Sequence, residues 1–179
     1  MPQQDDPRFV VTASAVIAQL RKAGVNAITT VPDLVQIALH HKILAECPDM
    51  RMVTCCTEEQ ATTTAAGLII GGARPAIIVQ NQGLYACINA LRGAGLDAGL
   101  PLVYLVGQFG REPENLGHST THSSRRLVRL LSPLLETLDV PHLDVEGPDQ
   151  VAGIAEVFAQ ARRQMRPAAI VFGNYIAAA

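Results

Sequence analysis

Apolar positions along the chain follow two alternating rhythms. Ala13, Val16, Ile17 and Leu20 stand at i, i+3, i+4 and i+7, one face of a helix, and Gly24 follows as a stop. The β-branched run Val25–Val31, closed by Pro32, predicts a strand. A helix over about Leu34–Ala45, a strand over Met50–Thr57 and a helix over Glu58–Gly72 come next. The buried strand Pro75–Gln80 (PAIIVQ), a helix over Gly83–Ala94 and the apolar strand Leu102–Val106 (LVYLV) follow. After the polar stretch Gly107–Ser124, Leu127, Leu130 and Leu131 predict a helix broken at Pro133. Val151, Ile154, Ala155 and Phe158 mark one more helical face, and Ala168–Phe172 a closing strand.

Helices and short apolar strands in alternation predict an α/β architecture. We expect a single flavodoxin-like domain over residues 1–179, its mostly parallel sheet covered by helices on both faces. Ligands of such sheets sit outside the carboxyl ends of the strands. The loops there are Val31-Pro32-Asp33, Thr57-Glu58-Glu59, Gln80-Asn81-Gln82-Gly83 and Gly107–Ser124, and polar residues concentrate in them.

Composition narrows the classes. The chain is 49% hydrophobic and 17% charged, with a net charge of −2. Such a balance gives no electrostatic basis for binding nucleic acid or an anionic membrane, and the absence of Trp argues against base-stacking platforms. The low charge also fits a surface partly covered by another chain. The polar N-terminus MPQQDDPRF reads as neither signal nor transit peptide, which predicts the cytoplasm. Cys47, Cys55, Cys56 and Cys87 form no C-x-x-C pair and no zinc spacing, so they read as free, buried thiols.

Phosphate-loop, G-x-G-x-x-G and G-x-S-x-G signatures are all missing. What stands out is CCTEEQATTTAAG, residues 55–67: two carboxylates between a strand and a helix of small residues. A carboxylate there gains from the helix dipole, which by itself explains Glu58 as a helix-start residue. The small residues behind it permit close approach of a ligand or another backbone.

TEEQATTTAAG followed by GGARPAIIVQNQGLYACINAL resembles the pyrimidine-binding domain of thiamine-diphosphate enzymes, and GVNAITTVPDLV, residues 24–35, resembles that domain's opening strand and Val-Pro turn. The likeness spans roughly residues 10–175 and is greatest to the sulfopyruvate and phosphonopyruvate decarboxylases. Gln82 departs from the pattern, where that subgroup usually has Ser. The resemblance implies that Glu58, rather than Glu59, hydrogen-bonds a ring nitrogen of the cofactor's aminopyrimidine. It thereby promotes the imino tautomer that takes the proton from the thiazolium carbon; the ylid then attacks a 2-oxo acid. Pro32, Asn81, Gln82 and Gly83 are the implied cofactor contacts. Asp33, His118 and His122 are the implied proton-transfer residues. As alternatives, Asp33 reads as an N-cap of the following helix, and each histidine as a solvent-exposed loop residue. Arg111, Arg125 and Arg126 suit an anionic substrate head or plain surface charge, and His40 and His41 read as structural.

The family also needs a diphosphate-binding domain with Gly-Asp-Gly, which this sequence lacks. The resemblance therefore implies the α subunit of a hetero-oligomer, whose β subunit holds the diphosphate and Mg2+. Sulfopyruvate is the favoured substrate, with phosphonopyruvate or another 2-oxo acid, or a carboligase reaction, as alternatives. A reading from another class is a non-catalytic flavodoxin-like scaffold subunit.

Overall fold

The computed structural model describes residues 6–179. Most of the reading of the N-terminal stretch falls on residues 1–5, outside the described residues. Six strands form one parallel sheet: β1 Ala27–Thr30, β2 Arg51–Thr54, β3 Pro75–Gln80, β4 Val103–Gly107, β5 His142–Val145 and β6 Ala168–Phe172. Their order is β2-β1-β3-β4-β6-β5, parallel throughout. This is the α/β architecture the alternation predicts. All carboxyl ends thus lie along one edge, and the order reverses direction between β1 and β3, where such folds open a crevice.

Alternation along the central strands divides two cores. Ile78, Leu105 and Ile170 face helices α1 (Ala13–Lys22), α2 (Ile37–Glu46) and α9 (Ile154–Gln164). Ile77, Val79, Tyr104 and Val106 face α3 (Glu58–Ile70), α4 (Asn81–Ala86) and α7 (Leu131–Thr137). Ala61, Ala65 and Ala66 of α3 are buried on the chain's own sheet, whereas Thr63 and Gly67 point outward. The small residues of that helix therefore serve an internal contact on one side and leave the other side bare.

Several boundaries differ from expectation for identifiable reasons. Helix α2 begins three residues late because Val35 and Gln36 are held in a turn by Asp33. The helix expected over Gly83–Ala94 divides into α4, the short α5 (Ile88–Ala90) and a π-helical turn at Leu91–Asp97. Pro133 does not break its helix. It lies in the first turn of α7, where a missing N–H costs nothing, and the break falls at Leu130, after α6 (Arg126–Arg129). The remaining helix is α8 (Pro148–Val151). Strand β5 escapes the sequence pattern because His142–Val145 is an edge strand carrying only two apolar residues. Cys47, Cys55 and Cys87 are buried as expected, but Cys56 is exposed, beyond the end of β2. No helix among the described residues is long and apolar enough to cross a membrane.

Candidate functional site

The switch point between β1 and β3 is built around a buried carboxylate. Asp33 leaves β1 by the turn after exposed Pro32 and is 0% exposed. It is no helix N-cap, since the residue capping α2 is Gln36. Its Oδ1 accepts the Val35 amide at 2.9 Å, and its Oδ2 accepts Gln36 Nε2 at 2.7 Å. Gly107 at the end of β4 makes this possible: a Cβ there would overlap the Asp33 carboxylate and lie 2.8 Å from Val35 Cβ. Gln36 reaches on to the carbonyls of Leu105, at 3.0 Å, and Val79, at 3.4 Å. One glutamine thereby ties the ends of β1, β3 and β4 together, while its own Oε1 finds no partner among the described residues. Nothing in the motif reading pointed to Gln36; the available signal was a lone amide within the apolar run LVQIAL.

Burial pushes the Asp33 pKa up from its ordinary value of 3.8, against the hydrogen bonds from Gln36 and Val35. A carboxyl whose pKa is higher folded than unfolded keeps its proton longer in the fold. The fold therefore loses stability as pH rises from the unfolded value through the raised one, and escapes that penalty at lower pH. Asp33→Asn should flatten this slope, measured as urea midpoints from about pH 4 to about pH 7. Equal slopes in both proteins would show that Asp33 does not titrate in that window.

His40 also belongs to this buried layer, as a structural residue. Its Nε2 lies 3.3 Å from Thr30 Oγ1, which donates to the Ile78 carbonyl at 2.9 Å, and burial then the neighbouring His41 push its pKa down to about 4. His41 itself is exposed.

Glu58 opens α3, whose N-cap Thr57 accepts the Gln60 amide. Its side chain is half-buried, whereas Glu59 is exposed. The Glu58 carboxylate rests on Gly83 in the first turn of α4, where any Cβ would collide with it. It has no salt bridge and no hydrogen bond among the described residues, which leaves its acceptor oxygens available. Asn81, two residues before Gly83, is buried, with Nδ2 donating to the Phe109 carbonyl at 3.1 Å and Oδ1 accepting the Gln82 amide at 2.9 Å. Asn81 thus fixes the turn and the start of the long loop, and exposed Gln82 is left free to face solvent.

The histidines lie elsewhere. His118 and His122 are exposed and line an open pocket of about 400 Å³ with Glu112, Glu114 and Ser124, which contains neither Glu58 nor Gly83. Glu112 staples that loop. Burial alone would raise its pKa, but hydrogen bonds from Ser123 and Ser124 outweigh it and hold the carboxyl at about 2. Arg111 is neither a substrate clamp nor surface charge. Its side chain is 1% exposed and ion-paired with Glu146. Nε donates to Asn115 Oδ1, Nη1 to Gln108 Oε1, and Nη2 to the carbonyls of Asn115 and His118. With Glu146 these contacts use all five donors of the guanidinium. Arg125 and Arg126 are exposed. Among the described residues, no cluster of three or more His, Cys, Asp or Glu side chains is spaced to hold a metal ion.

Residues 11–129 match the family model described as thiamine pyrophosphate enzyme, N-terminal TPP binding domain. The chain belongs to this family. As a TPP-enzyme N-terminal domain it carries the family match across β1 to β4 and the loops that follow them, so Asp33, Glu58 and Asn81 all fall within the matched segment. It is also similar to the sulfopyruvate decarboxylase subunit alpha of Methanococcus maripaludis, with 23% identity over 138 residues, covering 77% of this chain and 79% of the relative.

Proposed function

We propose that this chain, as a pyrimidine-binding domain over its whole length, is the α subunit of a thiamine-diphosphate-dependent 2-oxo acid decarboxylase, with sulfopyruvate as the substrate. The observation that carries the reading is Glu58: a half-buried carboxylate with free acceptor oxygens, seated on a glycine at the start of a helix, within a chain of this family. The relative named as a sulfopyruvate decarboxylase subunit alpha supports the choice of substrate and of a partner subunit.

The residues present fit the pyrimidine end of the cofactor. Glu58 offers an acceptor for a ring N–H, and Gly83, without a side chain, lets that carboxylate lie against the first turn of α4. Pro32, Asn81, Gln82 and Gly83 form the rest of the proposed contact set. When bound, thiamine diphosphate would supply a nucleophilic carbon and an electron sink for loss of CO2. The chain's own work is to hold the pyrimidine, move a proton at the Glu58 carboxylate and keep water from the β1–β3 crevice. Asp33, buried beneath the crevice, holds Gln36 and the turn in place; His118 and His122 are the proposed proton donors of the substrate side, which a partner would have to bring toward Glu58. The diphosphate and Mg2+ are assigned to a β subunit, a division supported by the relative's name as a subunit alpha.

Calorimetric titration of thiamine diphosphate with Mg2+ tests the reading. We expect no measurable binding to the chain alone and saturable binding once a partner carrying Gly-Asp-Gly is added. Binding in neither case would return the chain to the role of a non-catalytic subunit.

A further inference from the structure

A second cavity opens at the other end of the sheet, away from Glu58 and Asp33. It encloses about 310 Å³ beneath the amino ends of β3 and β4, where the carboxyl-terminal turns of α3 and α9 meet. Its walls are largely apolar: Ile69, Pro101, Phe158 and Met165. Two arginines, Arg74 and Arg162, complete the lining. Such a volume is in the range of small-molecule sites.

Neither arginine has a side-chain partner among the described residues: no carboxylate lies within 4.0 Å of either, and neither guanidinium donates a hydrogen bond. Scarcity of acids is not the reason: Arg163 pairs with Glu156 and Arg166 with Asp139 on the same segment. Arg162 is half-buried and Arg74 exposed. Arg74 lies over Gly24, at φ +73°, where a Cβ would come within 2.8 Å of Nη1, and its backbone amide is anchored by Asn26 Oδ1 at 2.8 Å. Burial and the charge of Arg74 both push the Arg162 pKa down. Two cations share one apolar cavity without an anion to offset them, and guanidinium forks match carboxylate or sulfonate oxygens.

We infer that this cavity binds a small amphiphilic anion, an aromatic or branched aliphatic body bearing one carboxylate or sulfonate. The apolar walls take the body, and Arg74 and Arg162 take the oxygens. This site is independent of thiamine diphosphate and of the reading of Glu58.

The test is a titration of the full chain with naphthalene-1-sulfonate, followed by amide chemical shifts, with uncharged 1-naphthalenemethanol as the control. Saturable shifts should map to residues 72–75, 101–103 and 158–165. Arg74→Gln and Arg162→Gln should each weaken sulfonate binding by about tenfold, and the lysine variants should retain part of it. Binding of the uncharged control should be far weaker and indifferent to those substitutions. Unchanged affinity in the double glutamine variant would overturn the inference, as would equal affinity for the uncharged control or shifts confined to other surfaces. Repeating the titration on the assembled protein separates a ligand site from a covered one. Loss of binding there would assign the cavity to a partner chain and overturn the small-molecule reading.

Discussion

Glu58→Gln is expected to abolish most turnover while leaving the fold and the assembly intact. The substitution keeps the shape that rests on Gly83 and removes only the charge and the proton-accepting oxygen. Its structural cost is the loss of one anion at the start of α3, a few tenths to about 1 kcal/mol. Its chemical cost is far larger. A positioned acid–base group contributes about 10²–10⁴-fold, so CO2 release from the 2-oxo acid the assembled enzyme consumes should fall by at least about 10²-fold. Cofactor binding should weaken much less, because the proposed contacts at Asn81, Gln82 and Gly83 are untouched. Turnover close to wild type would remove Glu58 from the chemistry. The parallel change Glu59→Gln should have little effect, since that side chain is exposed.

Arg111→Met should produce the largest loss of stability of any single change in the loop after β4. The wild-type guanidinium is buried, and it runs over Gly173, where a Cβ would come within 2.6 Å of Nη1. Its removal leaves Gln108 Oε1, Asn115 Oδ1 and the His118 carbonyl with no donor and takes the ion-pair partner from Glu146. Breaking a buried pair from one side costs about 3–5 kcal/mol. Urea unfolding should show that loss, and limited proteolysis should find cleavage within residues 108–124. A loss under about 1 kcal/mol would mean that Glu112, through Ser123 and Ser124, suffices to order the loop. Glu146 still donates no stability of its own in that variant, although its oxygen continues to accept the Gly117 amide at 2.7 Å.

The elements that were legible in the sequence are those whose burial is two-sided or strictly periodic. Pro75–Gln80 and Ala168–Phe172 match their strands end to end, because central parallel strands are apolar throughout. The short edge strand β5 has no such signature. At the candidate site, the sequence placed the polar residues in loops at the carboxyl ends of the strands, but did not show their contacts. Asp33, read as a proton-transfer residue or a cap, is a buried tie and caps no helix; Arg111 looked like a clamp or a surface charge and is a saturated hub. Both differences arise from contacts across long sequence separations: Asp33 lies against Gly107, and Arg111 pairs with Glu146. No local pattern encodes those contacts. The separation of His118 and His122 from Glu58 has the same origin, since the loop that carries them is held by Arg111 and Glu112 toward its own pocket.

Sheet ends usually fray, yet here the side chain of Gln36 acts as a cinch across three neighbouring strands. The consequence concerns time scales. Amides at the carboxyl ends of β1, β3 and β4 should exchange with solvent only in global unfolding, as slowly as those at the middle of the sheet. The tie thus carries protection from the middle of the sheet to the edge where the candidate site lies.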